Sequence, residues 1–145
     1  KFKVKKLQNL HEVENQMKIS EAANRIKVPI KKIRYYSDIG LIRPSRVNNG
    51  YRDFTENDLI KLQLIVKSRS FGFSIKECST LIKLFENKSR YSKDVKEIAV
   101  LKINDIENKI KSLNMLKKNL QKISKQCKGD KNSNCSILDN LTLIN

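Results

Sequence analysis

The chain is short and strongly basic. Its 145 residues suit one small domain with an appendage, and 31 lysines and arginines stand against 15 acidic residues. The formal net charge of +16 indicates a polyanionic partner, most often nucleic acid. No apolar run approaches the roughly 18 residues of a membrane-spanning helix, and the basic N-terminus lacks the apolar core of a signal peptide. We therefore expect a cytoplasmic protein with reduced thiols and no membrane partner.

Two short helices open the predicted fold. Residues 1–16 lack a clear period and are interpreted as an extension outside the fold, with the first helix following from Met17. Pro29 suits the first turn of a second helix over residues 30–39, and Gly40 is a typical helix end. Two helices joined by a tight turn, with basic residues on the second, favour a helix-turn-helix. An ordinary αα-hairpin with solvated lysines has the same pattern.

A β-hairpin is predicted directly after the second helix. Two short extended runs, over residues 41–44 and 51–54, flank the turn formers Asn48-Asn49-Gly50. A hairpin in this position is a wing, and its arginines and tyrosine suit phosphate contacts that set register on a duplex. The alternative is a solvated turn with stray charge. The side chains concerned are Arg43, Arg46, Tyr51 and Arg52.

Two further helices follow the wing. Thr55 with Asp58 resembles an N-cap pair and opens a helix over residues 56–70. A capping box at Ser74 opens the next helix, which we expect to end near Phe85. Both have apolar residues at helical spacing, so we expect each helix to turn one apolar face inward.

One long helix is predicted over residues 93–126, which contain neither Gly nor Pro. At 1.5 Å per residue it would extend about 50 Å, beyond the reach of a small N-terminal domain. Pairing with a second copy would bury its apolar stripe and give a dimer with two DNA-reading heads. The stripe consists of Ile103, Ile106, Ile110, Leu113, Leu116, Leu120 and Ile123.

Two cysteines near the C-terminus form a candidate metal site. Cys127 and Cys135 close a polar loop of seven residues that is rich in turn formers. The only histidine, His11, is far away in the sequence, so a thiolate pair is the obvious ligand set, and soft thiolates suit Cu(I). A disulfide and two unrelated core cysteines are the alternatives. The third cysteine, Cys78, lies on the apolar face of a predicted helix and is interpreted as a core residue.

The motifs together resemble the MerR family of bacterial transcription regulators and, within it, the copper-sensing CueR type. The resemblance covers residues 17–140. The motifs that carry it are Lys31-Lys-Ile-Arg-Tyr-Tyr36, Gly40-Leu-Ile-Arg-Pro44, Asn49-Gly-Tyr-Arg52, Phe71-Gly-Phe-Ser74, Arg90-Tyr-Ser-Lys-Asp-Val-Lys96 and Cys127…Gly129-Asp130…Cys135-Ser-Ile-Leu.

The resemblance implies a mainly α fold. It consists of a winged helix-turn-helix domain over residues 17–86, a dimerisation helix over residues 87–126 that forms an antiparallel coiled coil, and a metal-binding loop with a short terminal helix over residues 127–145. Such homodimers bind double-stranded promoter DNA in the spacer and distort it on metal binding, so that RNA polymerase engages both promoter elements. The implied DNA-binding residues are Lys31, Arg34, Tyr36, Arg46, Tyr51 and Arg52.

The resemblance also implies one Cu(I) per subunit, held by Cys127 and Cys135, and does not separate copper from silver or gold. Family members that sense divalent ions have a third-ligand cysteine where this chain has Ser92. Zn²⁺ usually takes four ligands, which two thiolates without a nearby histidine do not supply. Ser92 also suits an ordinary N-cap. Lys96 is implied as the cation near the thiolates, and an exposed surface lysine is the alternative.

Three other functions are weighed against copper sensing. Ser136 stands where proline is frequent in the copper type, and Ser136-Ile-Leu occurs in sensors of Zn, Cd or Hg, so divalent-metal sensing is one alternative. A thiol-based redox regulator is a second, and a basic architectural or copper-buffering protein, which would explain only the charge, is a third. An enzyme is not expected, because the predicted fold has no histidine, no nucleophile with a base and no phosphate loop.

Overall fold

The computed structural model describes residues 16–46, 50–130, 133 and 135–142. The chain divides into two compact units, residues 1–95 and 96–145. Residues 1–15 of the predicted extension lie outside the described residues. In chain order the elements are β1 (Met17–Lys18), α1 (Ile19–Ile26), α2 (Ile30–Asp38), β2 (Ser45–Arg46), β3 (Arg52–Phe54), α3 (Glu56–Ser70), α4 (Ile75–Glu86), α5 (Ser92–Gln126) and α6 (Ser136–Thr142). This order confirms the predicted mainly α fold with a winged helix-turn-helix and a long following helix.

The helix-turn-helix consists of α1 and α2. Helix α1 ends at Ile26. The next residue, Lys27, adopts a left-handed conformation with φ of 54°, and Val28 N–H bonds back to the Ala23 carbonyl at 3.1 Å. Pro29 then directly precedes the first residue of α2. At the other end Gly40, with φ of 73°, turns the chain out of the helix, a conformation that favours glycine. The predicted turn and both helices are confirmed to within a few residues.

A three-stranded antiparallel sheet forms the wing, in the order β1-β3-β2. Met17 pairs with Phe54, so the expectation that the first helix begins at Met17 is wrong: that residue lies in a strand. Met17 is 4% exposed and Phe54 is fully buried, so the two paired residues both belong to the hydrophobic core. The partner strand is 37 residues away in sequence, which is why local periodicity did not reveal it.

The first strand of the wing hairpin lies later than predicted. Residues 41–44 were expected to be extended and paired, but the strand β2 is Ser45–Arg46. Ile42 is buried in the core at 2% exposure, and its N–H bonds back to the Tyr36 carbonyl. Pro44 has no N–H to donate to a ladder. The central part of the predicted turn, residues 47–49, lies outside the described residues.

The core of the first unit is built from all its helices and the sheet. Both predicted helix starts are confirmed as capping boxes, with Asp58 N–H donating to Thr55 Oγ1 at 3.1 Å and Glu77 N–H donating to Ser74 Oγ at 3.2 Å. Cys78 is 1% exposed, which confirms its placement in the core. The largest fully buried side chains are Phe54, Ile33, Leu62, Ile65 and Cys78.

Helix α5 is a single uninterrupted helix of 35 residues, as predicted. Its apolar stripe is largely exposed in the protomer: Ile103 is 53% exposed, Leu113 is 63% exposed and Leu120 is 56% exposed. A continuous apolar stripe facing water is unfavourable, because the hydrophobic effect drives such a surface into contact. No helix in the described part of the chain is long and apolar enough to cross a membrane.

Candidate nucleic-acid interface and metal centre

Helix α2 presents its basic side chains to solvent because its apolar residues hold the opposite face in the core. Ile33 is fully buried, while Lys31 and Arg34 are exposed. The amphipathic spacing of three and four residues therefore sets the orientation of the helix. Two of the predicted DNA-binding side chains are thus available to a ligand.

Tyr36 does not lie on this exposed face, and its contact with DNA stays a prediction. It is 3% exposed, three residues after Ile33 on the buried face. Burial raises the pKa of its phenol, which also interacts with the Arg69 side chain. The exposed tyrosine on this helix is Tyr35, at 50%. The position of Tyr36 relative to Ile33 was the sequence signal for its burial.

A cleft of about 290 Å³ lies between helix α2 and the wing. We call it the arginine cleft. It unites residues that are up to 33 positions apart in sequence, and three of its side chains are guanidinium groups. Among the described residues this lining contains no carboxylate, so its guanidinium groups favour an anion such as a phosphate. The lining residues are Ile19, Arg34, Arg46, Gly50, Tyr51 and Arg52.

Two of these arginines face each other across the sheet, since Arg46 pairs with Arg52 in the register of β2 and β3. Like charges in directly opposite positions are destabilising. The Arg52 guanidinium is held by Asp38, whose Oδ1 lies 2.5 Å from Nη2, at the last residue of α2. Sequence reasoning missed Asp38. This ion pair joins the wing to the end of the helix and orients Arg52.

A second ion pair that sequence reasoning missed joins helices α1 and α3. Arg25 donates to both carboxylate oxygens of Glu56, one of them at 3.0 Å. A bidentate guanidinium–carboxylate pair constrains direction as well as distance. The pair therefore links the start of α3 to the end of α1 at the surface.

The structure brings the two predicted metal-binding cysteines together. The Sγ atoms of Cys127 and Cys135 are 4.0 Å apart, and both side chains are half-buried and free. A disulfide would require about 2.05 Å. An ion midway between the sulfurs would lie about 2 Å from each, close to the roughly 2.3 Å of a zinc–thiolate bond. The pair therefore fits one metal ion, and the number of further ligands distinguishes the possible metals.

Hydrogen bonds to the sulfur of Cys135 favour its thiolate form. Backbone N–H groups of Leu138 and Ile137 donate to its sulfur and lower the pKa of the thiol, with a further contribution from Cys127. Partial burial and the charge of Asp139 oppose this shift. A thiolate is both the metal-binding and the nucleophilic form of cysteine.

No third ligand accompanies the pair in the described part of the chain. Among residues 16–46, 50–130, 133 and 135–142 there is no cluster of three His, Cys, Asp or Glu side chains that could hold a metal. Ser92 is the first residue of α5, and Lys96 follows one turn later; both are exposed. Within the described chain this site therefore has two sulfur donors, Cys127 and Cys135.

Comparisons with known proteins agree with this architecture. The model of the MerR helix-turn-helix regulatory protein family matches residues 17–84, and that of the MerR DNA-binding region matches residues 59–123. The regulator HmrR of Rhizobium leguminosarum is 45% identical over 87% of this chain and 98% of its own length. The regulator CueR of Salmonella typhimurium is 37% identical over 87% and 92%. The mercury(II) complex of MerR from Bacillus megaterium superposes with a TM-score of 0.67 at 28% identity, covering 88% and 100%.

The fold and the matched family models define a winged helix-turn-helix regulator with a DNA-binding domain. The extent of these matches places the chain in the MerR family of transcription regulators. Its relatives are regulators and not enzymes.

Proposed function

We propose that this metal-responsive MerR family regulator is a transcriptional activator that senses Cu(I). It binds a promoter spacer as a homodimer and distorts the DNA when the metal binds. The observation that carries the proposal is the pair of thiols 4.0 Å apart, on one loop, with no third strong ligand in the described residues. Its location is the cytoplasm, where thiols stay reduced.

The arginine cleft supports the DNA-binding part of the proposal. Arg34 on α2 and the wing side chains Arg46, Tyr51 and Arg52 surround one anion-sized cleft. A phosphate there would relieve the repulsion between the opposed arginines of the wing. Lys31, exposed on α2, would add contacts along the same strand of double-stranded DNA. These contacts position the protein, while the deformability of the promoter carries the signal and RNA polymerase responds to its shape.

The apolar stripe and the charge of α5 support an antiparallel homodimer. Residues 108–126 contain six lysines and no acidic residue, whereas residues 92–107 contain four acidic residues and three lysines. Antiparallel pairing places each lysine-rich end beside the acidic end of the partner helix. Parallel pairing would place the two lysine-rich ends side by side, which is unfavourable.

The donor set supports a soft monovalent ion. Cys127 and Cys135 supply two soft thiolates, and such ligands select Cu(I), with Ag(I) and Au(I) sharing the same preference. Two thiolates and one monovalent ion carry a net charge of −1. We assign Lys96 the role of compensating cation, and Ser92 the role of withholding the third thiolate that a divalent ion would need.

A Cu(I) titration of the reduced homodimer tests this proposal. The protein competes with a chromophoric chelator at defined free Cu(I), and X-ray absorption then counts the sulfur neighbours. One ion per subunit with two sulfurs at one short distance is expected. A third sulfur in the wild type, or transcription activated by Zn(II) alone, would place the protein among sensors of divalent ions, as the mercury-bound relative illustrates.

A thiol-based redox regulator is the second candidate, favoured by the same geometry. The 4.0 Å separation and the lowered pKa of Cys135 both suit attack by the thiolate on an oxidised partner sulfur. In vitro transcription with metal-free protein separates the two functions. Activation by hydrogen peroxide in the presence of a copper chelator would favour redox sensing, whereas activation that requires added Cu(I) favours the first proposal.

A further inference from the structure

The hydroxyl of Ser136 has an unusual environment for a polar group. Its Oγ is buried and has no hydrogen-bond partner in the structure of the described residues. A buried hydroxyl without a partner has lost its bonds to water without replacement, so it destabilises the fold. Most buried polar side-chain atoms in native proteins are paired, and an exception calls for a specific explanation.

Ser136 is held in place by its neighbours. Its carbonyl accepts a hydrogen bond from Asn140 Nδ2 at 2.7 Å. Cys135 precedes it directly, with its sulfur 4.0 Å from that of Cys127 and bonded to the Leu138 N–H on the other side of Ser136. The backbone is therefore constrained on both sides, and the serine hydroxyl keeps mainly its rotation about χ1.

Helix capping does not explain why the Ser136 hydroxyl is buried without a hydrogen-bond partner. Ser136 is the first residue of α6, and the residue that precedes the helix is Cys135, whose carbonyl accepts from Asp139 N–H at 3.0 Å. The Cys135 sulfur already accepts the early N–H groups of the helix. At the first helical position a proline is the favourable residue and a serine side chain has no capping role.

The Ser136 hydroxyl donates to neither neighbouring sulfur in this structure, and the chemistry of a metal-bound sulfur would make that sulfur an acceptor. Under the proposed function, two metal-bound thiolates carry a net negative charge in a half-buried site, and such a charge requires hydrogen-bond donors. A serine hydroxyl is a donor that can rotate toward an acceptor. We infer that Ser136 is a positioning residue of the metal site, whose hydroxyl donates a hydrogen bond to a metal-bound sulfur. This inference rests on the proposed Cu(I) function.

The test compares Ser136→Ala and Ser136→Thr with the wild-type reduced homodimer. Ser133→Ala is the matched control, because Ser133 is an exposed serine in the loop that precedes α6. Three quantities are measured: Cu(I) affinity by competition with a chelator, the energy of the thiolate-to-copper charge-transfer band, and the thermal midpoint of the metal-free protein. Together they separate a role in metal binding from a role in folding.

The alanine variant should bind Cu(I) about tenfold more weakly, the loss expected for one charge-assisted hydrogen bond. Its charge-transfer band should move to lower energy, since a hydrogen bond stabilises the sulfur donor orbital. The metal-free midpoint should stay unchanged or rise, because an unsatisfied buried hydroxyl has been removed. The threonine variant keeps the hydroxyl and should resemble the wild type, as should Ser133→Ala.

Equal affinity and an unshifted band in Ser136→Ala, with wild-type protein that binds Cu(I), would overturn the inference and leave the proposed function intact. A lower metal-free midpoint accompanying the lost affinity would also overturn it, because Ser136 would then act on folding. The same loss in Ser133→Ala would assign the effect to the loop as a whole. Wild-type protein that does not bind Cu(I) would overturn both proposals.

Discussion

The proposed contact between the apolar stripes of α5 in the two subunits gives the most quantitative prediction. Leu113→Glu combined with Leu120→Glu should convert the dimer into monomers that no longer bind the operator tightly. Both leucines lie on the α5 stripe and are 63% and 56% exposed in the protomer. In an antiparallel pair their new carboxylates would meet the acidic half of the partner helix, so that charge repulsion adds to the loss of apolar burial.

The size of the effect follows from the exposed fractions. Full burial of a leucine side chain contributes roughly 1.5–3 kcal/mol, and a little over half of each side chain remains to be buried on dimerisation. Each leucine would therefore contribute about 1–2 kcal/mol, and a symmetric dimer contains two copies of each. The sum is on the order of 6 kcal/mol, which corresponds to a dissociation constant about 10⁴-fold higher.

Sedimentation equilibrium of the double variant, over a concentration series, measures this change, and operator binding by gel shift reports its consequence. Asn114→Glu with Gln121→Glu is the matched control, since both residues are exposed, neighbour the leucines and add the same charge off the stripe. The control should stay dimeric. A double leucine variant that sediments as a dimer at wild-type concentrations would show that the subunit contact does not lie on the apolar stripe of α5.

Four further predictions concern the two sites. Arg34→Ala should weaken operator binding and lower the slope of affinity against salt by about one, measured by fluorescence anisotropy; an unchanged slope would contradict a phosphate contact. Asp38→Asn removes the ion pair that orients the wing, and should weaken operator binding with little change in thermal midpoint, since exposed pairs contribute about 0–1 kcal/mol. Cys135→Ser should abolish activation by Cu(I) in a transcription assay while DNA binding persists, whereas Cys78→Ser should keep the response. Ser92→Cys should admit Zn(II) or Cd(II), detected by titration; continued rejection of both would argue against its role in selectivity.

Local chemistry in the sequence determined most element boundaries. The capping boxes at Thr55 and Ser74 each involve residues three positions apart. The first residues of α3 and α4 could therefore be predicted from the sequence alone. Pro29 and Gly40 mark helix ends for the same reason, because each restricts the backbone at its own position. The length of α5 followed from the absence of any helix breaker. The pairing of Cys127 with Cys135 was also accessible, since both lie on one short loop.

Tertiary structure alone decided the features that depend on distant partners. Met17 lies in a strand because its backbone pairs with that of Phe54, and both side chains are buried. The interaction of the Tyr36 hydroxyl with Arg69 joins residues that are 33 positions apart in sequence. The ion pair that orients Arg52 likewise joins a helix end to a strand. Local rules describe the conformation of a segment, whereas burial and charge pairing depend on where the rest of the chain lies, and only the folded structure specifies that.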